Sequence, residues 1–153
     1  MPQIKSLKKR IIFGLGSNLG EREFYLDEAV KYLESELALT ELKRSKIFKN
    51  PAMLLENSPK EWDREFFNIA ISADIDIKKF PPQKILEIVK KIEKKLGRKD
   101  SEKWAPREID IDILAIEGLR VEITDELIIP HPGLLVRDFF IVTVGEIESK
   151  FLY

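Results

Sequence analysis

Two aspartates separated by a single residue carry the sharpest chemical signal in this sequence. Asp110 and Asp112 flank Ile111 in a run that alternates acidic and apolar residues, the pattern of a half-buried strand. On a strand, both carboxylates share a face with their Cα atoms roughly 6.5 Å apart, and they repel each other unless a divalent cation binds between them. Mg²⁺ prefers carboxylate oxygens together with substrate phosphates. Taken alone, the pair is compatible with a magnesium site. Two ordinary acidic side chains on a solvated strand face explain it somewhat better.

A second pair with the same spacing provides an internal comparison. Asp74 and Asp76 precede two lysines and a predicted helix start, which is typical of a solvated strand end. The segment before the first pair is instead rich in cations, namely Arg98, Lys99, Lys103 and Arg107. Carboxylates that bind a metal beside cations that bind phosphate form the arrangement that phosphoryl transfer requires. This context favours Asp110 and Asp112 as candidate metal ligands.

An aromatic ring and an amide share the less apolar face of another predicted strand. Phe66 and Asn68 alternate with an apolar stripe that begins with Phe67 and Ile69. A flat heterocycle could stack on such a ring and form hydrogen bonds with the amide. Equally, the ring could fill a second core layer while the amide caps a loop. Trp104, within the cationic segment, presents a similar choice between covering a site and packing on the sheet.

The single histidine, His131, lies between two prolines and is followed by Arg137 and Phe139. Rigid flanks of this kind fix a side chain at the end of a strand, although a lone histidine is more often structural than catalytic. The glycines of residues 14–20 lack the spacing of a dinucleotide-binding loop, and the sequence has no P-loop motif. Phosphate binding by either of those loops is therefore excluded.

Composition restricts the class of protein further. The chain has 153 residues, 44% of them hydrophobic, which suits one domain with one core. Because 26 basic residues nearly cancel 27 acidic ones, there is no bulk attraction to nucleic acid or to an anionic membrane. The absence of cysteine excludes disulfides and thiolate metal sites. No apolar stretch approaches the ~20 residues that span a bilayer, and we expect a cytoplasmic protein.

The apolar periodicity predicts an α+β protein. Strands are expected at residues 11–13, 39–49, 66–75, 109–113 and 127–129, and helices at about 22–37, 81–96 and the last ~15 residues. The order β-α-β-β-α-β is that of a ferredoxin-like core, an antiparallel sheet with helices packed on it, here with C-terminal additions. Two helices are expected on one face, with the other partly open. Residues 51–63 are polar and contain two prolines, and we expect them to form a long loop.

Four groups of residues, in this order, resemble the 6-hydroxymethyl-7,8-dihydropterin pyrophosphokinase family over nearly the whole chain. They are the glycine run of residues 16–20, Phe66-Phe67-Asn68, Gly97-Arg98 followed by residues 104–114, and Pro130-His131-Pro132 followed by Arg137 and Phe139. The third group, with its Trp-Ala-Pro-Arg-Glu-Ile-Asp-Ile-Asp run, is highly specific to that family. The resemblance implies a single domain over residues 1–153, with residues 1–9 as a basic N-terminal extension. It also implies diphosphate transfer from ATP to the pterin hydroxymethyl group, with release of AMP, in folate synthesis.

By the same resemblance, Asp110 and Asp112 hold two Mg²⁺ ions that bridge the ATP phosphates. Arg98 and Arg107 are implied as further catalytic residues that bind phosphate and stabilise the charge that shifts during transfer. The resemblance implies further ATP contacts from Glu93, Lys103, His131 and Arg137. For the pterin, it implies that Phe66 and Phe139 sandwich the ring and that Asn68 forms hydrogen bonds with its edge. Backbone groups near Asn50, Pro51 and Met53 are implied to complete the pocket.

Loops at residues 14–20, 50–63 and 98–107 correspond to mobile lids in the family, and Trp104 would close over the substrate. The sequence departs from the family at two points. Lys99, Asp100 and Lys103 occupy the region where many members have a second arginine, and a lysine is a point charge, not a planar fork. Phe66 replaces the tyrosine of some members, which keeps the stacking surface but loses a hydroxyl.

Two other functions remain open at this point. A ferredoxin-like sheet with exposed aromatics can bind single-stranded RNA, but a net charge of -1 and a carboxylate pair on the same face argue against a nucleic-acid partner. Another nucleotide-dependent transferase on this fold would differ in its products, because only diphosphate transfer yields AMP. We expect a monomer that uses ATP and the pterin as substrates, with neither a nucleic-acid nor a membrane partner.

Overall fold

The computed structural model describes residues 6–18, 20–50, 65–97 and 109–153. The strands are β1 (Lys8–Ser17), β2 (Thr40–Arg44), β3 (Phe48–Asn50), β4 (Phe66–Asp76), β5 (Asp110–Ile116), β6 (Val121–Thr124) and β7 (Leu127–Ile129). The helices are α1 (Arg22–Glu36), α2 (Pro82–Lys95) and α3 (Asp138–Glu148), and a short 3₁₀ turn follows at Ser149–Leu152. The predicted mixed α and β composition is confirmed. Of the described helices, none is long and apolar enough to cross a membrane.

One antiparallel sheet forms the centre of the molecule. Its strands are ordered β2-β4-β1-β5, and β3 also pairs with β4. The long central pair runs in continuous register from Lys8↔Asp76 to Ser17↔Phe67. β1 therefore begins three residues before Ile11, and the last two residues of the expected N-terminal extension are strand residues. β6 and β7 form a separate two-stranded sheet.

The main core lies between the sheet and two helices. The alternation of β4 buries Ile69, Ile71, Ala73 and Ile75 on one face. Apolar stripes of α1 and α2 pack against that face, and both have the helical spacing seen in the sequence: Leu26, Ala29, Val30 and Leu33, and Ile85, Val89 and Ile92. Burial of each leucine, isoleucine and valine side chain in this set contributes on the order of 1.5–3 kcal/mol.

The opposite face of the sheet is covered in part by α3. Phe140 and Val144 pack there against Ile12, Ala70 and Leu114, forming a second, smaller core. Gly14 permits this approach, because a Cβ at this position would lie 2.8 Å from Cε1 of Phe140. The second face, expected to be partly open, thus supports a helix at one end.

The predicted strands differ from the structure in three ways. The strand expected at residues 11–13 is ten residues long, Lys8–Ser17, so Gly14 and Gly16 of the expected loop belong to β1. The single strand expected at residues 39–49 is interrupted between β2 and β3. At the interruption the Ser45 backbone N–H donates to the Ala70 carbonyl at 2.9 Å, and the Ser45 hydroxyl accepts from the Ala70 N–H at 2.9 Å. At this point the Ser45 hydroxyl takes the place of a backbone carbonyl as the acceptor for the Ala70 N–H. β6 was not predicted, because most of its residues are exposed and lack an apolar stripe.

Candidate functional site

The carboxylate pair lies on β5, beside two glycines of β1. In the sheet register, Gly16 pairs with Asp110 and Gly14 pairs with Asp112. Ile111 between them is buried on the main-core side, so both carboxylates point to the other face, as the alternation predicted. Both aspartates are half-buried. Because glycine has no side chain, β1 places none beside either carboxylate, although the Phe140 ring of α3 fills the space over Gly14 on the Asp112 side.

A second polar group lies across Gly16 from the carboxylates. Asn68 of β4 pairs with Gly16, so Asn68, Gly16 and Asp110 form one row across three neighbouring strands. The outer Cα atoms of such a row are roughly 10 Å apart. A Cβ at Gly16 would lie 2.9 Å from Oδ1 of Asn68 and 3.4 Å from the ring of Phe66. The row therefore requires glycine at its centre.

The Asn68 amide is held in one orientation by β3. Its Nδ2 donates to the Phe48 carbonyl at 3.4 Å and, at short range, to Oδ1 of Asn50. Asn50 in turn pairs with Phe66 in the strand register. Three of the predicted pterin-contacting residues, Asn50, Phe66 and Asn68, are thus brought together by the β3–β4 pairing.

His131 is anchored against the end of β5. Its backbone N–H donates to the Leu114 carbonyl at 2.8 Å, and its Nδ1 accepts from the Gly133 N–H at 2.9 Å. The neutral ring therefore carries its proton on Nε2, which lies 3.8 Å from Oδ1 of Asp112. Burial is the main cause that lowers the pKa of His131, the charge of Arg137 lowers it further, and Asp110 opposes both effects. The imidazole is accordingly neutral at pH 7.

Arg137 and Phe139 lie at the start of α3. The Arg137 backbone N–H donates to the Gly133 carbonyl at 2.9 Å, which places its side chain beside the histidine. Its guanidinium lies 6.0 Å from the Phe139 ring and 5.7 Å from the Phe140 ring. The two phenylalanine rings meet edge to face at 4.6 Å, and the Phe139 ring is half-buried. This packing orders one cation and one partly exposed ring beside the carboxylates.

A cleft of about 380 Å³ opens beside β5, within the size range of small-molecule sites. Its lining combines the carboxylates with cationic and apolar side chains: Leu86, Lys90, Asp110, Ile111, Asp112, Ile113, Asp125, Glu126, Leu127, Ile128, His131, Pro132, Gly133 and Arg137. Of these residues, the sequence pointed to Asp110, Asp112, His131 and Arg137, and it did not point to Lys90 or to two further acids, Asp125 and Glu126. A signal was present for Lys90, which lies one helical turn before Glu93.

Glu93, predicted to contact the nucleotide, is buried against the backbone of β5. Its side chain is only 2% exposed, and Oε2 accepts from the Ile111 backbone N–H at 2.8 Å. The carboxylate thus holds the backbone of β5 between the two aspartates, and Glu93 is not among the residues that line the cleft. Its predicted contact with ATP stays a prediction.

Six predicted site residues lie outside the described part of the chain: Pro51, Met53, Arg98, Lys103, Trp104 and Arg107. Within the described ranges, no group of three or more histidines or acids is arranged to hold a metal ion. The two carboxylates on one face fit Mg²⁺ as a donor set only if substrate oxygens complete its coordination. A carboxylate pair, a neutral imidazole and an arginine around one cleft are typical of an enzyme that binds a phosphorylated substrate with a divalent cation.

Comparison with known proteins identifies the family. Residues 12–149 match the family model described as 7,8-dihydro-6-hydroxymethylpterin-pyrophosphokinase. The chain therefore belongs to this family of pyrophosphokinases. A 2-amino-4-hydroxy-6-hydroxymethyldihydropteridine pyrophosphokinase of Aquifex aeolicus is 38% identical over 143 residues, which are 94% of this chain and 82% of the relative. The corresponding protein of Bacillus subtilis is 35% identical over 133 residues, 87% of this chain and 74% of the relative.

Other relatives are longer proteins. A folate synthesis bifunctional protein of Chlamydia muridarum is 40% identical over 132 residues, which cover 86% of this chain but only 28% of the relative. Among solved structures, wild-type HPPK-DHPS of Plasmodium falciparum superposes with a TM-score of 0.61 and 12% identity, covering 94% of this chain and 42% of that chain. At this identity the structural likeness supports the fold alone.

Proposed function

We propose that this pyrophosphokinase transfers diphosphate from ATP to the hydroxymethyl group of 6-hydroxymethyl-7,8-dihydropterin, releases AMP, and thereby serves folate biosynthesis. The row formed by Asn68, Gly16 and Asp110 is the observation that carries the proposal. It separates an amide suited to a heterocycle from a carboxylate suited to a metal by roughly 10 Å. A ligand that lies over the glycine would present its hydroxymethyl group toward the carboxylates.

The proposed pterin site lies on the β3–β4 side of Gly16. Asn68 and Asn50 offer amide groups to the edge of the ring, and Phe66 and Phe139 offer aromatic faces from β4 and α3. Pro51, Met53 and Trp104 are proposed to complete the site. Because Asn50 already orients the Asn68 amide, little conformational freedom is lost when the ring binds.

The proposed ATP site is the cleft beside β5. His131 and Arg137 lie where they can donate to phosphate or ribose oxygens. Lys90 lies at the helix side of the cleft, with its Nζ 3.8 Å from a carboxylate oxygen of Glu93 and 3.8 Å from one of Glu126. Neutral His131 offers its Nε2 proton to an oxygen without requiring a charged imidazole. We assign further phosphate contacts to Arg98, Lys103 and Arg107, and retain Glu93 as a candidate nucleotide contact.

Asp110 and Asp112 are the residues that would hold Mg²⁺, for which we propose two ions. Bound Mg²⁺ would neutralise phosphate charge and orient the phosphates for transfer. The protein side chains would position the two substrates. The carboxylates would position the phosphates through Mg²⁺, the asparagines would position the pterin, and the arginines would offset negative charge. A strong general base is not required for this chemistry.

The strand order and antiparallel pairing support a ferredoxin-like core for this enzyme. β2 and β3 together occupy the place of its second strand, β4 that of the third and β5 that of the fourth. We also propose that the chain acts as a monomer, because all the proposed contacts come from elements of one chain.

Nucleotide product analysis tests the proposed reaction. The protein is incubated with ATP, Mg²⁺ and 6-hydroxymethyl-7,8-dihydropterin, and AMP is quantified against ADP with and without the pterin. Pterin-dependent AMP in equal amount to the pterin diphosphate is expected. ADP as the product would overturn diphosphate transfer, and AMP that forms without pterin would show that water, and not the pterin, is the acceptor.

A further inference from the structure

The ring of Phe67 has two cations packed against it. The Arg22 guanidinium carbon lies 4.3 Å from the ring centroid, and Nζ of Lys49 lies 4.7 Å from it. Both distances are in the range of cation–π attraction. Phe67 belongs to the main-core face of β4, the face opposite to Phe66 and Asn68. The three residues, here called the Phe67 cluster, lie on the back of the proposed pterin site.

The position of Arg22 at the start of α1 is not explained by helix stability. It is the first residue of α1, where the exposed N–H groups carry partial positive charge and a cation is disfavoured. Its Nη1 instead donates to the Glu65 carbonyl at 2.6 Å, immediately before β4 begins. Arg22 therefore connects the start of α1 to the start of β4.

The strand register gives this cluster its significance. Lys49, Phe67 and Ser17 pair in one row across β3, β4 and β1. The row on one side contains Asn50 and Phe66, and the row on the other contains Asn68 and Gly16. Side chains alternate along a strand, so a shift of one residue would exchange the faces and move Asn50 away from Asn68.

β3 is too short to define that register by its own hydrogen bonds. It has three residues, and its pairing with β4 has only the rows Phe48↔Asn68, Lys49↔Phe67 and Asn50↔Phe66. Side-chain contacts on both faces therefore select this pairing over a shifted one: the Asn50–Asn68 hydrogen bond on the site face and a further contact on the back face. Lys49 is the central residue of β3, and its attraction to the Phe67 ring is such a contact.

We propose that Arg22, Phe67 and Lys49 are positioning residues for pterin recognition. They hold β3 against β4 in the register that allows the Asn50 side chain to accept a hydrogen bond from the Asn68 amide. Arg22 also connects the start of α1 to the start of β4. Their role in pterin binding rests on the proposed function of Asn50, Phe66 and Asn68. The register role itself is independent of any activity.

Phe67→Leu is the decisive variant, because it keeps an apolar side chain and removes the aromatic face. The KM for the pterin is expected to rise about five- to tenfold, and the KM for ATP to change less than about twofold. Phe67→Tyr keeps the ring and is expected to retain the wild-type KM for the pterin. An unchanged pterin KM in Phe67→Leu, or an equal rise for both substrates, would overturn the proposal.

Phe80 provides a matched control within the chain. Its ring also has two lysines near it, Lys79 at 5.5 Å and Lys84 at 5.4 Å, but it follows the opposite end of β4. Phe80→Leu is expected to lower the thermal unfolding midpoint and leave the pterin KM unchanged. If Phe67→Leu does not fold, the double variant Arg22→Met with Lys49→Met tests the same contacts by the same two KM values.

A readout without turnover separates this proposal from the proposed function. The side-chain amide NMR signals of Asn50 and Asn68 are expected to shift in Phe67→Leu and to stay in place in Phe80→Leu. Unmoved signals would refute the register role even in an active enzyme. Moved signals in a protein that makes no AMP from the pterin would support the register role and refute the proposed function.

Discussion

At the residue scale, the two aspartate pairs differ in the contacts that their carboxylates make. Asp74 forms an ion pair with Arg10, in which Nη1 of Arg10 lies 3.2 Å from Oδ1 of Asp74. Asp76 accepts from the Leu7 N–H at 3.1 Å and the Lys78 N–H at 3.0 Å, and the hydrogen bond from Leu7 is the main cause that lowers its pKa. That pair therefore ties chain segments together. Asp110 and Asp112 instead line a cleft.

We expect Asp112→Asn to reduce kcat/KM by about a thousandfold, because loss of one metal-binding carboxylate removes several kcal/mol of charge stabilisation. Asp76→Asn is the matched control and is expected to keep turnover within about twofold, since its carboxylate accepts hydrogen bonds from the Leu7 and Lys78 backbone, at the end of β4 away from the cleft. Steady-state rates with saturating Mg²⁺ measure both variants. Comparable losses in the two variants would show that the carboxylate pair on β5 has no special role.

The alternation of the sequence correctly predicted the faces of these residues. It placed Asp110 and Asp112 together, and it separated Phe66 and Asn68 from the apolar stripe. It did not reveal that Gly16 lies between Asn68 and Asp110, because a glycine run looks the same whether it forms a turn or a gap. That role depends on two strands that are distant in the sequence.

At the element scale, α3 is fixed by contacts at both of its ends. Phe140 packs over Gly14 near the start, and Glu148 joins a polar cluster near the end. The Glu148 carboxylate accepts from Nε of Arg10 at 2.8 Å and from the Ser72 hydroxyl at 3.1 Å. Since Arg137 and Phe139 precede the helix core, these contacts determine where the proposed substrate residues lie.

Glu148 makes the attachment of α3 sensitive to pH. Burial alone would raise its pKa, but hydrogen bonds from Arg10 and Ser72 and the charge of Arg10 together bring it below the ordinary value of 4.5. The unfolded state therefore binds the proton more readily, so this contribution to stability is complete above about pH 4.5 and is lost as the pH falls through the lower, folded pKa.

Glu148→Gln is expected to lower the free energy of unfolding by about 2 kcal/mol at neutral pH, because a charge-assisted hydrogen bond becomes a neutral one. The difference from wild type should shrink as the pH falls below 4.5. Urea unfolding at several pH values measures this, with exposed Glu36→Gln as the control. A difference that stays constant with pH would contradict the assignment.

The elements were predicted with unequal success for physical reasons. α1, α2 and β4 have strong apolar periodicity and were predicted close to their observed bounds. The break between β2 and β3 was missed, because it depends on Ser45 bonding to Ala70 of another strand. α3 was expected as a terminal helix, but nothing in its sequence indicated which face of the sheet it would cover.

At the scale of the whole molecule, substrate binding should be linked to stability. A ligand that binds only the folded state stabilises it by about 2.7 kcal/mol at a concentration 100-fold above its Kd. For a chain of this size, that corresponds to a rise in Tm of roughly 5–10 °C. The prediction concerns ATP with Mg²⁺, because the carboxylates on β5 would repel ATP without the cation.

Differential scanning calorimetry measures the effect with ATP alone, with ATP and Mg²⁺, and with ATP, Mg²⁺ and EDTA in excess. The rise is expected only in the second condition, and it should be lost in Asp110→Asn. The same rise with ATP in EDTA would show that the nucleotide binds through the cationic side chains alone. A retained rise in Asp110→Asn would place the metal elsewhere.

The sequence by itself determined the local properties of this protein and its family. Alternation with a period of two defined which side chains share a strand face, helical spacing defined the buried stripes of α1 and α2, and the ordered residue groups resembled the pterin pyrophosphokinases. Only the tertiary structure decided which strands are neighbours. Backbone hydrogen bonds between strands are alike for nearly all residues, so the pairing of Asn68, Gly16 and Asp110 is selected by the packing of the whole core.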